Sequence, residues 1–293
     1  MKFKHIYFII NPASEKGVPV LYYIHQAFIG NDSKWDMSVT HPYRNAADIA
    51  RSLIGKTDLI AVYGGDGCVT SVARALHGSS TPMAIIPGGT ANVMAHELDL
   101  PMETRAAIEM LLNDKCKIKA IDMGTMNGQP FLLRVNLGIM ADMVLQADRK
   151  FKNHIGRLAY FIAGIKTIAN AQPIAYNLEI DGIEINETAY SLTVTNSGNI
   201  GISNLMLQPG ISITDGFLDI ILLKSNSLAT MLKLTGATLM QSKTDAIMHW
   251  KCKKMVIRLK EKQAFICDDY KEIADEIRIE VIPASVNIVV PVI

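Results

Sequence analysis

The chain has 293 residues, of which 49% are hydrophobic, enough to fill the cores of two ordinary domains. Its 29 basic residues nearly balance its 28 acidic ones, so the overall charge does not favour a nucleic-acid partner, and we expect none. The four cysteines are scattered without zinc spacing, which is typical of reduced thiols in the cytoplasm. No apolar run approaches the length of a membrane-spanning helix, so we expect a cytoplasmic protein whose membrane contact is at most peripheral.

Predicted strands and helices alternate over the first 120 residues or so. Residues 5–10 form an apolar run that predicts a buried strand, and helical spacing begins at Val20. A second strand is predicted at residues 36–40, followed by a helix over residues 45–54. A further helix is predicted over residues 103–113. This alternation favours a doubly wound α/β domain with a parallel sheet.

Two glycine clusters lie at the centre of this domain. Apolar residues 59–63 lead into Gly64-Gly65-Asp66-Gly67, and apolar residues 83–87 lead into Gly88-Gly89-Thr90. A segment with helical spacing follows each cluster. Because neighbouring parallel strands end at the same edge of a sheet, the two turns are expected to present backbone amides at two adjacent helix N-termini, where phosphate binds. The chain has neither a Walker A lysine motif nor a spaced GxGxxG, so a P-loop and a dinucleotide fingerprint are not supported.

Asp66 is the carboxylate inside the first cluster. Glycines without side chains let an anion approach the backbone, but this carboxylate would repel phosphate unless a metal ion lay between them. Asp66 is therefore a candidate for Mg²⁺ contact or for proton handling. The alternative is that the glycines form tight turns and Asp66 caps a helix. Two such turns after adjacent strands favour the phosphate interpretation.

The pattern changes near Asp122. Asn127-Gly128 and Asp181-Gly182 each separate two short apolar runs, which is the strongest short-range signal of a β-hairpin. Further strands are predicted at residues 192–195, 218–223, 255–259, 264–267, 277–282 and 286–290. We therefore expect a doubly wound α/β domain at residues 1–122 and an antiparallel β-sandwich domain at residues 123–293. Two predicted helices, 158–171 and 228–240, interrupt the second domain.

Five motifs follow one another along the chain. They are Asn11-Pro12-Ala13-Ser14, Gly64-Gly65-Asp66-Gly67, Pro87-Gly88-Gly89-Thr90-Ala91-Asn92, Gln208-Pro209 and Asp215-Gly216-Phe217-Leu218-Asp219. In this order they resemble the motifs of the diacylglycerol kinase catalytic domain family, which includes sphingosine kinases and soluble bacterial lipid kinases. The resemblance implies an ATP- and Mg²⁺-dependent kinase that phosphorylates a lipid hydroxyl, with the active site in the cleft between the two domains.

The resemblance also assigns residues to sites. It places the ATP site at Asn11, Pro12, Ala13, Ser14, Glu15, Thr40, Gly64, Gly65, Asp66, Gly67, Cys68, Val69, Thr70, Gly88, Gly89 and Thr90. Soluble bacterial members hold a second, structural Mg²⁺ near the DGxLD motif, which implies Asp215 as a ligand here, with backbone oxygens of Ser212 and Phe217. Asp215-Gly216 is also a hairpin turn signal, and that interpretation is compatible with the metal.

The chain departs from the family pattern at three positions. Family members usually continue GGDG with a threonine and, three residues later, a glutamate, where this chain has Cys68 and Ser71. The family's late Asp-Gly-Glu, whose acidic side chains are assigned to proton abstraction, aligns with Asp268-Asp269-Tyr270. A tyrosine with an ordinary pKa near 10 is a poor base at neutral pH. We therefore predict Asp66 and Asp268 as the catalytic pair, with Asp269 as the next candidate base and a solvated turn as the alternative.

A basic segment is the candidate membrane contact. Arg149, Lys150, Lys152 and Arg157 precede the amphipathic helix predicted over residues 158–171, a composition expected where a protein meets anionic headgroups at the inner membrane face. Lys251, Lys253 and Lys254 beside Trp250 are a possible addition. The alternative is a solvated charged face above an ordinary core helix.

Three functions remain open at the level of sequence. The first is a lipid kinase that transfers the γ-phosphate of ATP to a lipid hydroxyl. The second is a nucleotide- or lipid-binding homologue that has lost catalysis, which the departures at Cys68, Ser71 and Tyr270 motivate. The third is a soluble-substrate kinase such as NAD kinase, which the Gly88-to-Asn92 run and the DGxLD motif disfavour. The sequence does not name the lipid, and it leaves a homodimer open.

Overall fold

The computed structural model describes residues 3–14, 18–112, 116–141, 171–200, 207–225 and 246–292. Several features predicted from the sequence lie outside these ranges. They are Glu15, the basic segment before residue 158, all but the last residue of the predicted helix 158–171, and the predicted helix 228–240. Within the described ranges, no helix is long and apolar enough to cross a lipid bilayer.

The N-terminal part is the predicted parallel α/β unit. Its strands are β1 (His5–Ile10), β2 (Lys34–Val39), β3 (Leu59–Gly64) and β4 (Met83–Pro87), which pair in the order β2-β1-β3-β4. Its helices are α1 (Val20–Phe28), α2 (Ala46–Leu53), α3 (Asp66–Leu76), α4 (Val93–Glu97) and α5 (Thr104–Leu112). All of β3 and β4 is buried, which explains their unbroken apolar sequence, whereas every position of the edge strand β2 is exposed or only partly buried.

The rest of the chain is mostly antiparallel β structure. Its strands are β5 (Cys116–Met126), β6 (Gln129–Phe131), β7 (Arg134–Gly138), β8 (Ile174–Ile180), β9 (Ile183–Ala189), β10 (Ser191–Thr195), β11 (Leu218–Leu223), β12 (Ile247–Cys252), β13 (Lys254–Cys267) and β14 (Tyr270–Pro291). A second hydrophobic core combines buried residues of β7, β10 and β11 with those of β8, β13 and β14. The predicted fold class, an α/β unit followed by a β-sandwich, is confirmed.

Both predicted hairpins are confirmed. Asn127-Gly128 joins β5 to β6, and Asp181-Gly182 joins β8 to β9. All four residues have positive φ angles, from 48° to 87°, which is the requirement of a type I′ turn.

The long strands β13 and β14 differ from the prediction. Each was predicted as two strands, but each is continuous and carries one register shift, between Arg258 and Gln263 in β13 and between Ile282 and Val286 in β14. The irregular residues at these shifts interrupt the apolar alternation without ending the strand.

The C-terminal end of β14 lies beside the parallel strands of the N-terminal part. It pairs in parallel with β4 at Ile288 and Met83, and residues 286–290 contribute to the N-terminal core. The domain boundary at residue 122 stays a prediction. The first core nevertheless depends on residues from both ends of the chain.

Candidate functional site

The predicted nucleotide residues meet at the carboxyl edge of the parallel sheet. Beyond the strand ends, the Asn11 N–H donates to the Tyr63 carbonyl (3.0 Å), and the Thr40 N–H donates to the Ile10 carbonyl (2.9 Å). The Gly88 N–H donates to the Gly64 carbonyl (3.0 Å). The loops after β1, β2, β3 and β4 therefore begin side by side.

The two glycine clusters pack against each other. A Cβ added to Gly89 would lie 2.4 Å from the Gly65 Cα, closer than any real Cβ contact. A Cβ on Gly88 would lie 2.9 Å from the Tyr63 ring and 3.1 Å from the Ser14 Cβ. These glycines are therefore required for the loops to approach, in addition to leaving the backbone accessible. The clusters form one unit, which we call the glycine edge: Asn11 to Ser14, Gly64 to Gly67 and Gly88 to Asn92.

Asp66 joins the two loops. Its Oδ1 accepts a hydrogen bond from the N–H of Val93, the first residue of α4 (2.6 Å). The Asn92 side chain closes the second loop, because it accepts from the Gly89 N–H (2.9 Å) and donates to the Gly89 carbonyl (2.8 Å). Burial raises the pKa of Asp66, and the Val93 N–H and the charge of Arg134 oppose this rise. Asp66 is the first residue of α3 and binds the first N–H of α4, so it holds the two loops together and presents a carboxyl with a raised pKa at the glycine edge.

Ser14 places a buried hydroxyl at the glycine edge. Its Oγ is buried and finds no hydrogen-bond partner among the residues that the structure describes. The side chain lies against Gly88, between the first and the fourth loop. A buried hydroxyl without a partner is costly in a folded protein unless a ligand or water satisfies it, so Ser14 points to a bound polar group here.

Of the other predicted nucleotide residues in α3, Val69 and Thr70 are buried and Cys68 is partly buried. Val69 packs in the N-terminal core, and the Thr70 hydroxyl donates to the Gly67 carbonyl (3.2 Å). Burial raises the pKa of the Cys68 thiol to about 11, so it is neutral at physiological pH. The side chains of Val69 and Thr70 therefore serve helix packing. Nucleotide contact at this turn is left to the exposed Gly67 and to Asp66.

Asp268 has a structural environment. It occupies a two-residue turn between Cys267 and Tyr270 with φ +48°. Its carboxylate accepts three backbone hydrogen bonds, from Leu132 (2.8 Å), Leu133 (2.9 Å) and Arg134 (3.0 Å). Burial raises its pKa, and these three bonds oppose the rise. With both oxygens engaged, the carboxylate holds the start of β7 in place, and this geometry does not favour it as a base.

Asp269, its neighbour in the turn, faces the glycine edge. It is exposed, and its Oδ1 pairs with the Arg74 guanidinium of α3 (2.5 Å). A Cβ built on Gly67 would lie 4.0 Å from the Asp269 carboxylate. The spacing of the sequence ranks Asp268 above Asp269 as a candidate base, and the geometry reverses that order.

Tyr270 is removed from the site by its packing. Its hydroxyl is buried beside the Cys267 thiol, and the Arg74 guanidinium lies 5.6 Å from the centre of its ring. Burial raises the pKa of Tyr270 further above its ordinary value. Tyr270 therefore does not serve as the base in place of a glutamate.

Sequence reasoning missed two residues that link the N-terminal unit to the second unit, Arg134 and Glu97. Arg134, at the start of β7, lies close enough to influence Asp66 and donates to the Asn199 carbonyl (2.5 Å). Glu97, at the end of α4, accepts from the Ser197 hydroxyl (2.8 Å) and the Asn199 N–H (2.7 Å). No spacing rule identifies these residues, because their roles depend on contacts about 65 to 100 residues apart in the sequence.

The predicted metal position in the DGxLD motif is already occupied by a side-chain cation. The Asp215 carboxylate pairs with the Lys251 ammonium (2.5 Å) and accepts from the Phe217 N–H (3.1 Å). The Ser212 hydroxyl lies 3.4 Å from the Thr214 hydroxyl. No group of three His, Cys, Asp or Glu side chains suited to a metal occurs in the described part of the chain. Because the Lys251 ammonium occupies the Asp215 Oδ2, this arrangement of side chains does not fit a divalent ion at Asp215.

Comparison with known proteins identifies the family. The family model of the diacylglycerol kinase catalytic domain matches residues 5–126. The family model of the YegS C-terminal NAD kinase beta sandwich-like domain matches residues 134–290, which by themselves are more than half of the chain. The chain belongs to the diacylglycerol kinase catalytic domain family. The resemblance predicted from the five motifs is confirmed, and membership of a kinase family implies ATP as the phosphoryl donor.

The chain aligns with only part of the length of each of three similar proteins. A diacylglycerol kinase of Bacillus subtilis is 26% identical over 234 residues, which cover 78% of this chain and 74% of that protein. A diacylglycerol kinase of Mycobacterium tuberculosis is 30% identical over 193 residues, or 64% of this chain and 61% of that enzyme. An uncharacterized Synechocystis protein is 28% identical over 239 residues, 80% of this chain but only 55% of its own length.

Solved structures share the fold over nearly the full chain. A Bacillus anthracis protein superposes with a TM-score of 0.84 at 25% identity, covering 98% of this chain and 97% of its own. A diacylglycerol kinase structure from the same organism gives a TM-score of 0.81 at 24% identity, with the same coverage. The two-part architecture is thus shared with these structures.

Proposed function

We propose that the protein transfers the γ-phosphoryl group of ATP to the hydroxyl of a lipid, as a diacylglycerol kinase does. The observation that carries the proposal is the glycine edge, where two loops meet through backbone contacts around Asp66 and a buried Ser14 hydroxyl that lacks a partner. Membership of the family supports it, and so do the names of the Bacillus and Mycobacterium relatives.

The chain supplies positioning and charge. The first turn of the 11-residue helix α3 begins at Asp66 and Gly67, and its N-terminal dipole favours a phosphate there. Asp66 is the carboxylate placed to hold the magnesium ion that accompanies ATP. When bound, that ion neutralises charge on the phosphates. Arg134 adds a positive charge on the side of the second unit.

Asp269 is the proposed proton acceptor. It is exposed, faces Gly67 and belongs to the hairpin that carries the family's late acidic motif. Its pairing with Arg74 orients the carboxylate. Because phosphoryl transfer depends chiefly on positioning and charge stabilisation, a single aspartate as proton acceptor is compatible with turnover. The departure at Tyr270 therefore need not remove activity.

The test is transfer of label from ATP with Mg²⁺ to a panel of diacylglycerol, monoacylglycerol, sphingosine, ceramide and phosphatidylglycerol. We expect the wild type to label at least one lipid and Asp66→Asn to label none. An Asp275→Asn variant, altered at an exposed acidic position of β14, is the matched control and keeps wild-type activity. No transfer to any lipid by the wild type, with ATP binding intact, would favour the homologue that has lost catalysis.

A second candidate is phosphorylation of NAD. The specific observation in its favour is that residues 134–290 match a domain described as NAD kinase beta sandwich-like. NAD is therefore included beside the lipids in the same assay. Labelling of NAD with no lipid labelled would replace the lipid proposal.

We also propose that the protein meets its lipid at an anionic membrane surface. Of the predicted contact residues within the described ranges, Trp250 packs against the second core and Lys251 pairs with Asp215, so these two are engaged internally. Lys254 is exposed at the start of β13 and remains a candidate contact. Sedimentation with vesicles with and without anionic lipid tests this, and equal binding to both would contradict it.

A further inference from the structure

Three acidic side chains in and beside the DGxLD motif contact other groups of the chain. Asp122 is buried and accepts from the N–H groups of Gly216 and Ala284, both at 2.8 Å. Asp219 is fully buried, and its Oδ1 lies 2.6 Å from the His249 Nε2, whereas its Oδ2 has no hydrogen-bond partner among the described residues. Asp215 completes the set through its pair with Lys251. Each of these three acidic side chains has a partner supplied by the chain itself.

The Lys251 ammonium lies between oxygen atoms of two kinds. It donates to the Asp215 Oδ2 at 2.5 Å and to the Gly210 carbonyl at 3.2 Å. A carboxylate and a backbone carbonyl are the oxygen types that a hard divalent cation takes from a protein loop. Lys251 therefore interacts with the kind of ligand set that a metal ion would otherwise use.

Strand register brings the ammonium there. Lys251 of β12 stands opposite Asp219 of β11 in the antiparallel ladder, so the two side chains project from the same face of the sheet. From that position the lysine stem reaches the loop that precedes β11. Only 37% of the Lys251 side chain and 27% of the Asp215 side chain are exposed, so the pair is partly shielded from water.

A magnesium ion would have to displace this pair. Mg²⁺ needs near-octahedral oxygen ligands at about 2.0–2.1 Å, which the Asp215 carboxylate cannot offer while an ammonium occupies its Oδ2. A divalent ion and an ammonium within a few ångströms of each other also repel strongly. The hydrogen bond that the Lys251 ammonium donates to Asp215 raises the pKa of Lys251, so the ammonium keeps its charge across the physiological range.

We propose that the Lys251 ammonium takes the place of a structural divalent cation at residues 210–219, so that this loop folds without metal. The proposal deepens the proposed function, since it leaves the magnesium that accompanies ATP as the ion the reaction requires. It does not depend on which substrate is phosphorylated. Its tests contain no ATP and no lipid, so their outcome is separate from that of the kinase assay.

The first experiment measures thermal unfolding in EDTA and in excess Mg²⁺. Wild type is expected to unfold at the same temperature in both, because a ligand that does not bind the native state cannot stabilise it. Lys251→Met leaves Asp215 without its cation, so its unfolding temperature should fall in EDTA and partly recover in Mg²⁺. Lys253→Met is the matched control: its ammonium lies 5.4 Å from the centre of the Phe217 ring, and no Mg²⁺ response is expected.

The second experiment counts bound Mn²⁺ by electron paramagnetic resonance and keeps the proposal testable if Lys251→Met fails to fold. Any Mn²⁺ that the wild type binds should be retained in Asp215→Asn, because it would bind elsewhere. Loss of a wild-type Mn²⁺ site in Asp215→Asn would overturn the proposal. A wild-type unfolding temperature that rises with Mg²⁺, with the rise absent from Asp215→Asn, would overturn it as well.

Discussion

The glycine edge and the DGxLD loop both carry motifs of the family, but they differ in how their polar atoms are satisfied. At the glycine edge, Ser14 presents a buried hydroxyl that no described residue satisfies. At the DGxLD loop, the predicted metal ligand Asp215 is paired with the Lys251 ammonium. The difference teaches that a motif marks a place in the fold, whereas ligand binding there depends on whether another group of the chain already pairs with the predicted ligand-binding side chain.

The largest expected effect comes from Gly89→Ala. The new Cβ would lie 2.4 Å from the Gly65 Cα, so the two loops must separate. We expect ATP binding to be lost and the protein to be destabilised by about 1–3 kcal/mol, the usual cost of overpacking. Titration calorimetry and urea unfolding measure the two effects.

Gly67→Ala is the matched control for this prediction. A Cβ at Gly67 meets nothing closer than 4.0 Å, and the residue lies in the first turn of α3, where alanine is a better helix former. Stability equal to or above the wild type is expected. If Gly89→Ala bound ATP as tightly as the wild type, the glycine edge would not be the nucleotide site.

Asp66→Asn should lower activity without lowering stability at neutral pH. We expect transfer to fall by about 10²-fold or more, as for loss of a group that takes part in charge stabilisation or proton transfer. Burial raises the pKa of Asp66 above its ordinary 3.8, so the native state binds more protons than the unfolded chain between the two pKa values. Its favourable contribution is therefore present at low pH and is lost as pH rises through the folded pKa.

The asparagine cannot ionise, so the variant should be at least as stable as the wild type at neutral pH. The stability of the variant should also fall less steeply than that of the wild type as pH rises from the unfolded to the folded pKa of Asp66. Urea unfolding across the acidic to neutral range measures both properties. A variant that is less stable than the wild type at neutral pH would show that the ionised carboxylate stabilises the fold.

Substitution of Asp268 should lower stability, whereas substitution of Asp269 should lower activity. Asp268→Ala removes the acceptor of three enclosed N–H groups and is expected to destabilise the protein by about 3 kcal/mol. Asp269→Asn should leave stability within about 0.5 kcal/mol, since it loses only an exposed ion pair, and should lower kcat by about 10²-fold. The reverse assignment of the two effects would restore Asp268 as the base.

Tyr270→Phe should have the smallest effect. The hydroxyl is buried beside the Cys267 thiol and takes no part in the proposed proton transfer. We expect kcat to stay within about twofold of the wild type. Steady-state kinetics on the lipid that the panel identifies measure it, and a large fall in kcat would give the tyrosine a role at the reacting centre.

Local sequence predicted the parts of the fold whose cause is local. The apolar runs of β3 and β4 and the positive-φ turn at Asn127-Gly128 each depend on a few adjacent residues, and each is confirmed. The split of β13 into two predicted strands failed because a register shift breaks the alternation without ending the pairing with β14.

Side-chain roles were less predictable. Asp268 and Asp269 are adjacent and chemically alike, and only the turn conformation sends one carboxylate toward the backbone of β7 and the other toward α3. The pairing of Asp215 with Lys251 joins residues 36 positions apart and depends on β12, a strand that the sequence did not reveal. Such roles follow from tertiary register, which spacing along the chain does not encode.

Hydrogen exchange with and without a non-hydrolysable ATP analogue and Mg²⁺ tests the central claim most directly. The account predicts new protection of backbone amides at residues 64–67 and 88–93, and no change at residues 210–219. Protection confined to residues 210–219, with the glycine edge unaffected, would contradict it.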